Sequence, residues 1–260
     1  MAHCELMSGT EAANDRTWTV TSWNLLGSAD PDIDAIAQHL ASFAPDVAAL
    51  QEIRRPQARR LAATLGWHSA WRRKHYPYSP AIWWRAEGLA ILSPHHLADV
   101  RRHTLSSGHP VWNYRHRIML SATVTRYHHD SDLADTVDLH DLHLSSDTTD
   151  ERVVQASRAA AIARSRRAPH HGGLVVCGDL NANAEPEVVA AFGKLGLVDP
   201  GGPDTVKADR PVKRLDYVLV PSSARVLGVS TPDGGTDWRR LSDHLPVTTR
   251  FELAPTPRAG

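Results

Sequence analysis

The chain has 260 residues, and its 29 basic side chains balance its 29 acidic ones. This balance excludes a global electrostatic attraction to nucleic acid or to an anionic membrane, so any affinity for a polyanion must come from local patches. The N-terminus lacks a basic segment followed by an apolar core, and no stretch approaches the roughly eighteen apolar residues of a membrane span. We therefore expect a cytoplasmic monomer without membrane insertion.

The chain predicts a single folded domain over residues 16–252. A polar leader over residues 1–15 and a tail over residues 253–260 are both expected to be disordered. No Gly/Ser-rich or Pro-rich linker divides the domain, and layered α/β folds of this length are often one domain. The two cysteines, Cys4 and Cys177, are expected to be free thiols, because a bridge would tie the leader to a buried strand.

Helix signals alternate with strand signals along the chain. Asp30-Pro31 is typical of an N-cap followed by the first helical residue, and this helix runs to Pro45. A second helix over residues 56–65 ends at Gly66, where a left-handed residue is needed. Two further helices are predicted over residues 149–168 and 186–195.

Strands are predicted between and after these helices. They cover residues 17–23, 46–51, 68–71, 80–84, 88–93, 117–125, 136–144, 173–178, 214–220, 225–230 and 245–252. Their number, with helices in between, favours an α/β fold in which two facing mixed β-sheets are flanked by helices. The expected architecture is a four-layer α/β/β/α sandwich.

Polar side chains stand where apolar runs begin or end, as expected when strands end at a catalytic edge. The run over residues 17–23 leads to Asn24, that over residues 46–51 leads to Glu52, and that over residues 137–142 leads to His143. Further along, Gly178-Asp179-Leu180-Asn181 follows an apolar run and Ser242-Asp243-His244 precedes one. Asp216 lies within the predicted strand over residues 214–220, where a buried carboxylate needs a partner such as a histidine.

These side chains suit metal-assisted hydrolysis of a phosphoester. The reaction needs an attacking water with a general base, a cation that absorbs charge on the phosphoryl oxygens, and a donor for the oxyanion and leaving group. Carboxylates, an amide and a histidine supply these functions.

The motifs W-N, Q-E, H-L, G-D-L-N, R-L-D-Y and S-D-H occur in this order, with the apolar run Gly88–Ser93 between the second and the third. In this order they resemble the endonuclease/exonuclease/phosphatase superfamily, which includes pancreatic deoxyribonuclease, abasic-site endonucleases, sphingomyelinases and inositol phosphatases. The resemblance extends from about Trp18 to Phe251. It implies a divalent-metal-dependent phosphoester hydrolase that uses Mg²⁺ or Mn²⁺.

The resemblance also implies a metal site. Asn24, Glu52 and Asp243 would hold the metal, Glu52 most directly. An alternative for Glu52 is that it merely begins the next helix, where the helix dipole favours a carboxylate. Abasic-site endonucleases commonly carry an aspartate two residues after the asparagine, but this position is Leu26, which cannot ligate a metal. This departure argues against an abasic-site endonuclease and leaves the general hydrolase intact.

The same resemblance implies the catalytic residues. Asp179 would orient or deprotonate the attacking water, and Asn181 would contact the phosphate. His143 and His244 would touch the phosphoryl oxygens, with Asp216 fixing the ring of His244. The family often has Thr before the first of these histidines where this chain has Leu, and an Asx turn after a strand would also explain the aspartate of G-D-L-N.

Three functions remain open for this chain. The first is a phosphodiesterase acting on DNA or RNA, for which residues 71–84 and 103–117 mix aromatic and basic side chains that suit base stacking and phosphate contact. The second keeps the mechanism but takes a small phosphoester, such as a phospholipid headgroup, an inositol phosphate or a nucleotide, and the balanced charge favours it. The third is a noncatalytic binding protein on the same fold.

Overall fold

The computed structural model describes residues 16–74, 84–106, 116–127, 134–166 and 172–254. The predicted leader, the last residues of the predicted tail and most of the predicted strand over residues 80–84 lie outside these ranges. Trp84 itself lies in a short 3₁₀ turn. Within the described ranges the chain forms two six-stranded sheets and five α-helices.

Strands are numbered in chain order across the two sheets. Sheet 1 contains β1 (Thr17–Asn24), β2 (Val47–Arg54), β3 (His68–Arg73), β4 (Glu87–Ser93), β11 (Arg225–Ser230) and β12 (Val247–Glu252), in the order β11-β12-β1-β2-β4-β3. Sheet 2 contains β5 (His96–Thr104), β6 (Ile118–Tyr127), β7 (Ala134–His143), β8 (Gly173–Asp179), β9 (Leu197–Val198) and β10 (Asp216–Pro221), in the order β5-β6-β7-β8-β10-β9. The pairs β1–β2 and β7–β8 are parallel and other pairs are antiparallel, so both sheets are mixed.

Five helices accompany the sheets. They are α1 (Ile33–Phe43), α2 (Arg55–Leu65), α3 (Thr149–Arg166), α4 (Pro186–Gly193) and α5 (Thr236–Leu241). Helices α1 and α2 pack on the outer face of sheet 1, and α3 and α4 pack on the outer face of sheet 2. No helix in the described part of the chain combines the length and the apolar character needed to cross a membrane.

The central core lies between the two sheets and explains why both faces of the inner strands are apolar. On β4, Leu89 and Ile91 point into this core, while Ala90 and Leu92 point toward α1 and α2. A strand alternates its side chains between faces, so a strand that is covered on both sides, such as β4, carries apolar residues at successive positions. The fold is therefore the four-layer α/β/β/α sandwich that the sequence predicted.

Several element boundaries differ from the prediction. Helix α1 begins at Ile33, and its N-cap is Asp32, whose side chain accepts hydrogen bonds from the backbone N–H groups of Asp34 and Ala35. Asp30 instead adopts a left-handed conformation in the turn before the helix. The strand predicted over residues 214–220 begins at Asp216, so this carboxylate lies at the strand end and not in its interior.

Strand β5 was absent from the prediction because it lies at the edge of sheet 2 and exposes many of its side chains. The short strand β9 and helix α5 were not predicted either. Leu253, placed in the predicted tail, packs against the central core and donates a backbone hydrogen bond to Arg16. Cys177 is a free thiol buried in the same core.

Candidate active site

The strand register brings the polar strand-end residues to one edge of the sandwich. Asn24, His143 and Asp179 are the last residues of β1, β7 and β8. His143 lies opposite Asp179 in the parallel β7–β8 pair. Strand β10 runs antiparallel to β8, so its first residue, Asp216, also lies opposite Asp179. The adjoining ends of β7, β8 and β10 in sheet 2 therefore carry two carboxylates and a histidine. The amide of Asn24, from sheet 1, lies against them.

Asp179 lies at the centre of this cluster and is only 2% exposed. Its Oδ2 accepts a hydrogen bond of 3.0 Å from Asn24 Nδ2, and its Oδ1 accepts one of 2.9 Å from the backbone N–H of Asn181. Burial raises the pKa of Asp179 to about 6, against the opposing positive charge of His244. The backbone contact is the Asx turn that the sequence offered as an alternative, so the turn and the cluster coexist.

Asn181 stabilises this Asx turn through hydrogen bonds from both its backbone and its side chain. Its φ of 51° lies in the left-handed region, and its Nδ2 donates a hydrogen bond of 3.1 Å to the carbonyl of Leu144. The amide is thus engaged with backbone in this structure, and its predicted phosphate contact stays a prediction.

Gly178 makes the approach of β8 to β7 possible. Its φ is 134°, and a Cβ at this position would lie 2.0 Å from the carbonyl oxygen of Leu142. Only glycine tolerates both conditions. The first residue of the G-D-L-N motif is therefore explained by backbone packing beside Asp179.

His244 is held by Asp216, the pairing that the buried carboxylate required. The distance from His244 Nδ1 to Asp216 Oδ2 is 2.8 Å, and Thr205 Oγ1 donates to the same oxygen at 2.5 Å. Burial opposes charge on His244, but Asp216 and Asp179 outweigh it and raise the pKa of the imidazole to about 10. The other ring nitrogen, Nε2, lies 3.9 Å from Asp179 Oδ2. A cationic imidazole thus faces the central carboxylate.

The S-D-H turn is tied to the end of β1. Ser242 Oγ donates a hydrogen bond of 2.6 Å to the carbonyl of Asn24 and accepts one of 3.1 Å from the backbone N–H of His244. Trp23 Nε1 donates to the carbonyl of His244 at 2.9 Å. The sequence prediction assigned no role to Ser242 or to Thr205, although Ser242 is the first residue of the S-D-H motif.

Glu52 lies in a β-bulge of β2 and not at the start of a helix. The pairing of β2 with β4 shifts register between Leu50 and Ile53, and Glu52 has a φ of 54°. Its Oε1 lies 3.6 Å from His143 Nδ1, and His143 Nε2 lies 3.7 Å from Asp179 Oδ2. The imidazole of His143 therefore stands between the two carboxylates.

Lys74 places an ammonium group beside Glu52. Its side chain is 4% exposed, and Nζ lies 3.2 Å from Glu52 Oε1 and 4.0 Å from Glu87 Oε2. Burial would raise the pKa of Glu52, but the charges of Lys74 and Arg117 outweigh it and lower the pKa. The pKa of Glu87 is raised by burial and by the negative charge of Glu52. The sequence placed this lysine in the mixed aromatic and basic segment over residues 71–84, and the structure buries it.

Arg117 is a buried cation of the same site. It is 6% exposed, and its Nε has no hydrogen-bond partner within the described part of the chain. Burial lowers the pKa of the guanidinium, while the charges of Glu52 and Asp179 oppose this shift. A buried guanidinium with an unused donor suits an anionic ligand such as a phosphoryl group. The sequence placed this residue in a basic and aromatic segment without a specific role.

The predicted metal ligands offer oxygen atoms, the donors that Mg²⁺ and Mn²⁺ prefer. Asp243 Oδ1 is buried and has no hydrogen-bond partner among the described residues, so it is available to a cation. Asn24 is less available, because its Oδ1 accepts a hydrogen bond of 3.1 Å from the backbone N–H of Leu26. The donor set fits a hard divalent cation, and its role stays a prediction.

A second set of side chains, different from the predicted metal ligands, lies close enough together to contact a single metal ion. Ligand atoms of Asp179, Asp216 and His244 lie within 4.8 Å of one another, and all three residues are buried. Asp216 accepts both of its hydrogen bonds on Oδ2, whereas its Oδ1 has no hydrogen-bond partner among the described residues. The charged ring of His244 carries a proton on each nitrogen and cannot ligate a metal in that state. This group is therefore better suited to proton transfer than to metal binding.

The fold and the edge cluster together define a class of protein. The family model of the Endonuclease/Exonuclease/phosphatase family matches residues 21–244, so the chain belongs to this family, whose members are phosphoester hydrolases. The search of curated proteins gave no match.

Solved structures with the same fold include three that illustrate its range. An endonuclease/exonuclease/phosphatase from Beutenbergia cavernae shares 22% identity at a TM-score of 0.72, covering 94% of this chain and 73% of its own. A mannosyl-6-phosphatase from Bacteroides thetaiotaomicron shares 18% identity at a TM-score of 0.69, with coverages of 92% and 100%. A humanized TDP2 from D. rerio shares 17% identity at a TM-score of 0.65, with coverages of 91% and 99%. At these identities the likeness shows the fold alone.

Proposed function

We propose that the protein is a divalent-metal-dependent phosphodiesterase that cleaves nucleic acid by attack of an activated water. One observation carries this proposal. Buried Asp179 stands between a charged His244–Asp216 pair and a second histidine that reaches Glu52. A base, a cationic donor and a carboxylate for a metal therefore meet at one sheet edge.

Asp179 is the proposed general base. Burial brings its pKa close to neutral, where a carboxylate is still largely ionised but accepts a proton more readily than an exposed one. The hydrogen bonds from Asn24 and from the Asx turn fix the carboxylate plane. A water held on Asp179 would lose its proton to this carboxylate as it attacks phosphorus.

His244 and Arg117 are the proposed donors to the phosphoryl group. The protonated imidazole is kept charged and oriented by Asp216, so it can stabilise developing negative charge or protonate the leaving oxygen. The buried guanidinium of Arg117 would bind a nonbridging oxygen. When bound through Glu52 and Asp243, with Asn24 alongside, Mg²⁺ or Mn²⁺ would supply further charge to the phosphoryl oxygens.

A small phosphoester is the second candidate, and the balanced charge of the chain supports it. A noncatalytic role is disfavoured by physical cost, because a site with no chemistry to perform would gain nothing from burying Asp179, Asp216 and Lys74.

The test is turnover of bis(p-nitrophenyl) phosphate with Mg²⁺ or Mn²⁺ and with excess chelator, run beside plasmid nicking, inositol phosphates and a phospholipid panel. We expect metal-dependent hydrolysis of the diester and of the plasmid. Asp179→Asn should lower kcat at least about a hundredfold, the scale of a lost general base. Exposed Asp209→Asn is the matched control and should retain full turnover.

Other outcomes select among the alternatives. Full activity in excess chelator would contradict the metal requirement, and unchanged turnover in Asp179→Asn would contradict the mechanism. Hydrolysis confined to lipid or inositol phosphates would favour the second candidate. A folded protein without turnover of any substrate would point to a binding role.

A further inference from the structure

Two neighbouring loops follow the strands that carry His143 and Asp179. We call residues 144–148, after β7, the β7 loop, and residues 180–185, after β8, the β8 loop. Leu144 begins the β7 loop, and its backbone N–H donates a hydrogen bond of 2.9 Å to the carbonyl of Asp179. Its own carbonyl accepts the hydrogen bond of 3.1 Å from Asn181 Nδ2. The two loops are therefore in contact beside the proposed base.

Arg152, in the first turn of α3, links the same two loops from the helix side. Its Nη1 donates a hydrogen bond of 3.1 Å to the carbonyl of Ser145 in the β7 loop. Its Nε donates one of 2.7 Å to Glu185 Oε2, and its Nη2 donates to Glu185 Oε1 and to Thr149 Oγ1. Glu185 is the last residue of the β8 loop and directly precedes α4. One guanidinium group thus bonds to both loops.

The β7 loop is also fixed to α3 by Ser145, which is 1% exposed. Its backbone N–H donates a hydrogen bond of 2.9 Å to Gln155 Oε1, and its Oγ donates one of 2.7 Å to Glu151 Oε2. The N–H, the hydroxyl and the carbonyl of this serine are therefore all bonded to the start of α3. Arg152 extends this fixed position to Glu185 and so to the β8 loop.

The buried charge of Arg152 is better explained by geometry than by stability. The buried face of α3 otherwise consists of Gln155 and four alanines, and these alanines form one apolar cluster with Val188 and Phe192 of α4. A buried ion pair is often no more stabilising than apolar residues of the same volume. A bidentate guanidinium–carboxylate contact, however, fixes the relative orientation of its two groups. The hydrogen bond from Arg152 lowers the pKa of Glu185, so the contact is between charged groups.

We propose that Arg152 and Glu185 are positioning residues that hold the β7 and β8 loops in one fixed relation. They thereby set the spacing of His143 and Asn181 on either side of Asp179. Both act through the backbone of the loops and not by contact with the reacting atoms. This inference rests on the proposed function and adds to it two residues outside the catalytic cluster.

The first measurement needs no substrate. Hydrogen–deuterium exchange, followed by mass spectrometry, reports the backbone amides that the loops protect, those of Leu144, Ser145 and Asn181. Glu185→Gln keeps the shape of the side chain but removes its charge, and Arg152→Met removes the guanidinium group. Each variant should speed exchange in both loops at least about tenfold, because hydrogen bonds between charged groups are lost and local opening becomes easier.

The second measurement is turnover of bis(p-nitrophenyl) phosphate by the folded variants. Each single variant should lower kcat at least about tenfold, because groups that contact the phosphoryl oxygens are misplaced. The double variant Arg152→Met/Glu185→Gln should lose no more than the single variants, because all three break the same link. Additive losses would show that the two residues have separate roles and would overturn the inference.

The matched control is Arg166→Met, which removes the ion pair between the other end of α3 and Asp99. It should keep the loop exchange and the kcat of the parent. Unchanged exchange or unchanged kcat in Glu185→Gln, or equal losses in the control, would overturn the inference, and Glu185→Gln alone decides if Arg152→Met does not fold. Faster exchange in both loops of a protein without diester turnover would refute the proposed function and retain the link between the loops.

Discussion

The ammonium of Lys74 shares Glu52 with the cation that this carboxylate would bind. Its Nζ lies 3.2 Å from Glu52 Oε1, and the side chain is almost fully buried. A cation bound to Glu52 would therefore lie near this ammonium, and their repulsion would be only partly screened inside the protein. The lysine compensates the charge of the buried carboxylate, and it would oppose a metal bound to Glu52.

Replacing Lys74 by methionine should therefore strengthen metal binding. We expect the dissociation constant for Mn²⁺, measured by isothermal titration calorimetry, to fall by about tenfold because a like charge near the ion is removed. Lys74→Arg retains the charge and serves as the control. Weaker binding in Lys74→Met would mean that the lysine positions Glu52 for the metal.

The S-D-H turn between α5 and β12 depends on one hydroxyl group. Ser242 Oγ joins the carbonyl of Asn24 at the end of β1 to the backbone N–H of His244. The end of β1 therefore holds the turn in position, and the same strand presents Asn24 to Asp179. This link between the S-D-H turn and β1 sets the distance between the imidazole of His244 and Asp179, the proposed base.

Ser242→Ala should leave two buried polar groups without their partner. We expect a loss of about 1–3 kcal/mol in the free energy of unfolding, measured by urea denaturation, and a lower kcat with little change in KM. Ser69→Ala on β3 is the control, because Ser69 is exposed. Wild-type stability and kcat in Ser242→Ala would show that the hydroxyl does not hold the turn.

A buried acid–amide pair connects the two sheets beneath the candidate active site. Gln51 Nε2, on β2 of sheet 1, donates a hydrogen bond of 2.7 Å to Asp141 Oδ1, on β7 of sheet 2. Burial raises the pKa of Asp141 well above its usual value, although the hydrogen bond from Gln51 opposes this shift. Asp141 Oδ2 and Gln51 Oε1 have no hydrogen-bond partner among the described residues, so a protonated carboxyl donating from Oδ2 would complete the pair.

The raised pKa of Asp141 makes stability depend on pH in a defined direction. The folded state binds the proton more tightly than the unfolded state, so this contribution is fully present below pH 3.8 and is lost as the pH rises toward the folded pKa. The loss is about 1.4 kcal/mol per pH unit within that window. Asp141→Asn is neutral at every pH and can keep both hydrogen bonds.

Asp141→Asn should accordingly gain stability relative to wild type as the pH rises. The measurement is the free energy of urea unfolding at several pH values between about 4 and 8. Exposed Asp209→Asn is the control for loss of a surface carboxylate. Parallel curves for wild type and Asp141→Asn would show that Asp141 is ionised in the folded protein.

The sequence by itself determined the layers of the fold and predicted which polar residues gather at the edge of the candidate site. The strand signals and the helix signals between them predicted two facing sheets flanked by helices, and each signal is local to its own segment. Asn24, His143 and Asp179 were predicted as strand-end residues because the change from apolar to polar is visible along the chain. The register of the parallel and antiparallel pairs then placed them together.

Only the tertiary structure decided which charges are buried and which partners they have. Glu52 lies in a bulge because β4 opposes β2 with a shifted register. Lys74 directly follows the edge strand β3 and is buried beside Glu52 and Glu87. Strand β5 lacks clear apolar alternation, since it lies at the edge of sheet 2 and exposes many of its side chains. Contacts between residues far apart in the chain set the burial and pKa of each charge, and no local pattern records these contacts.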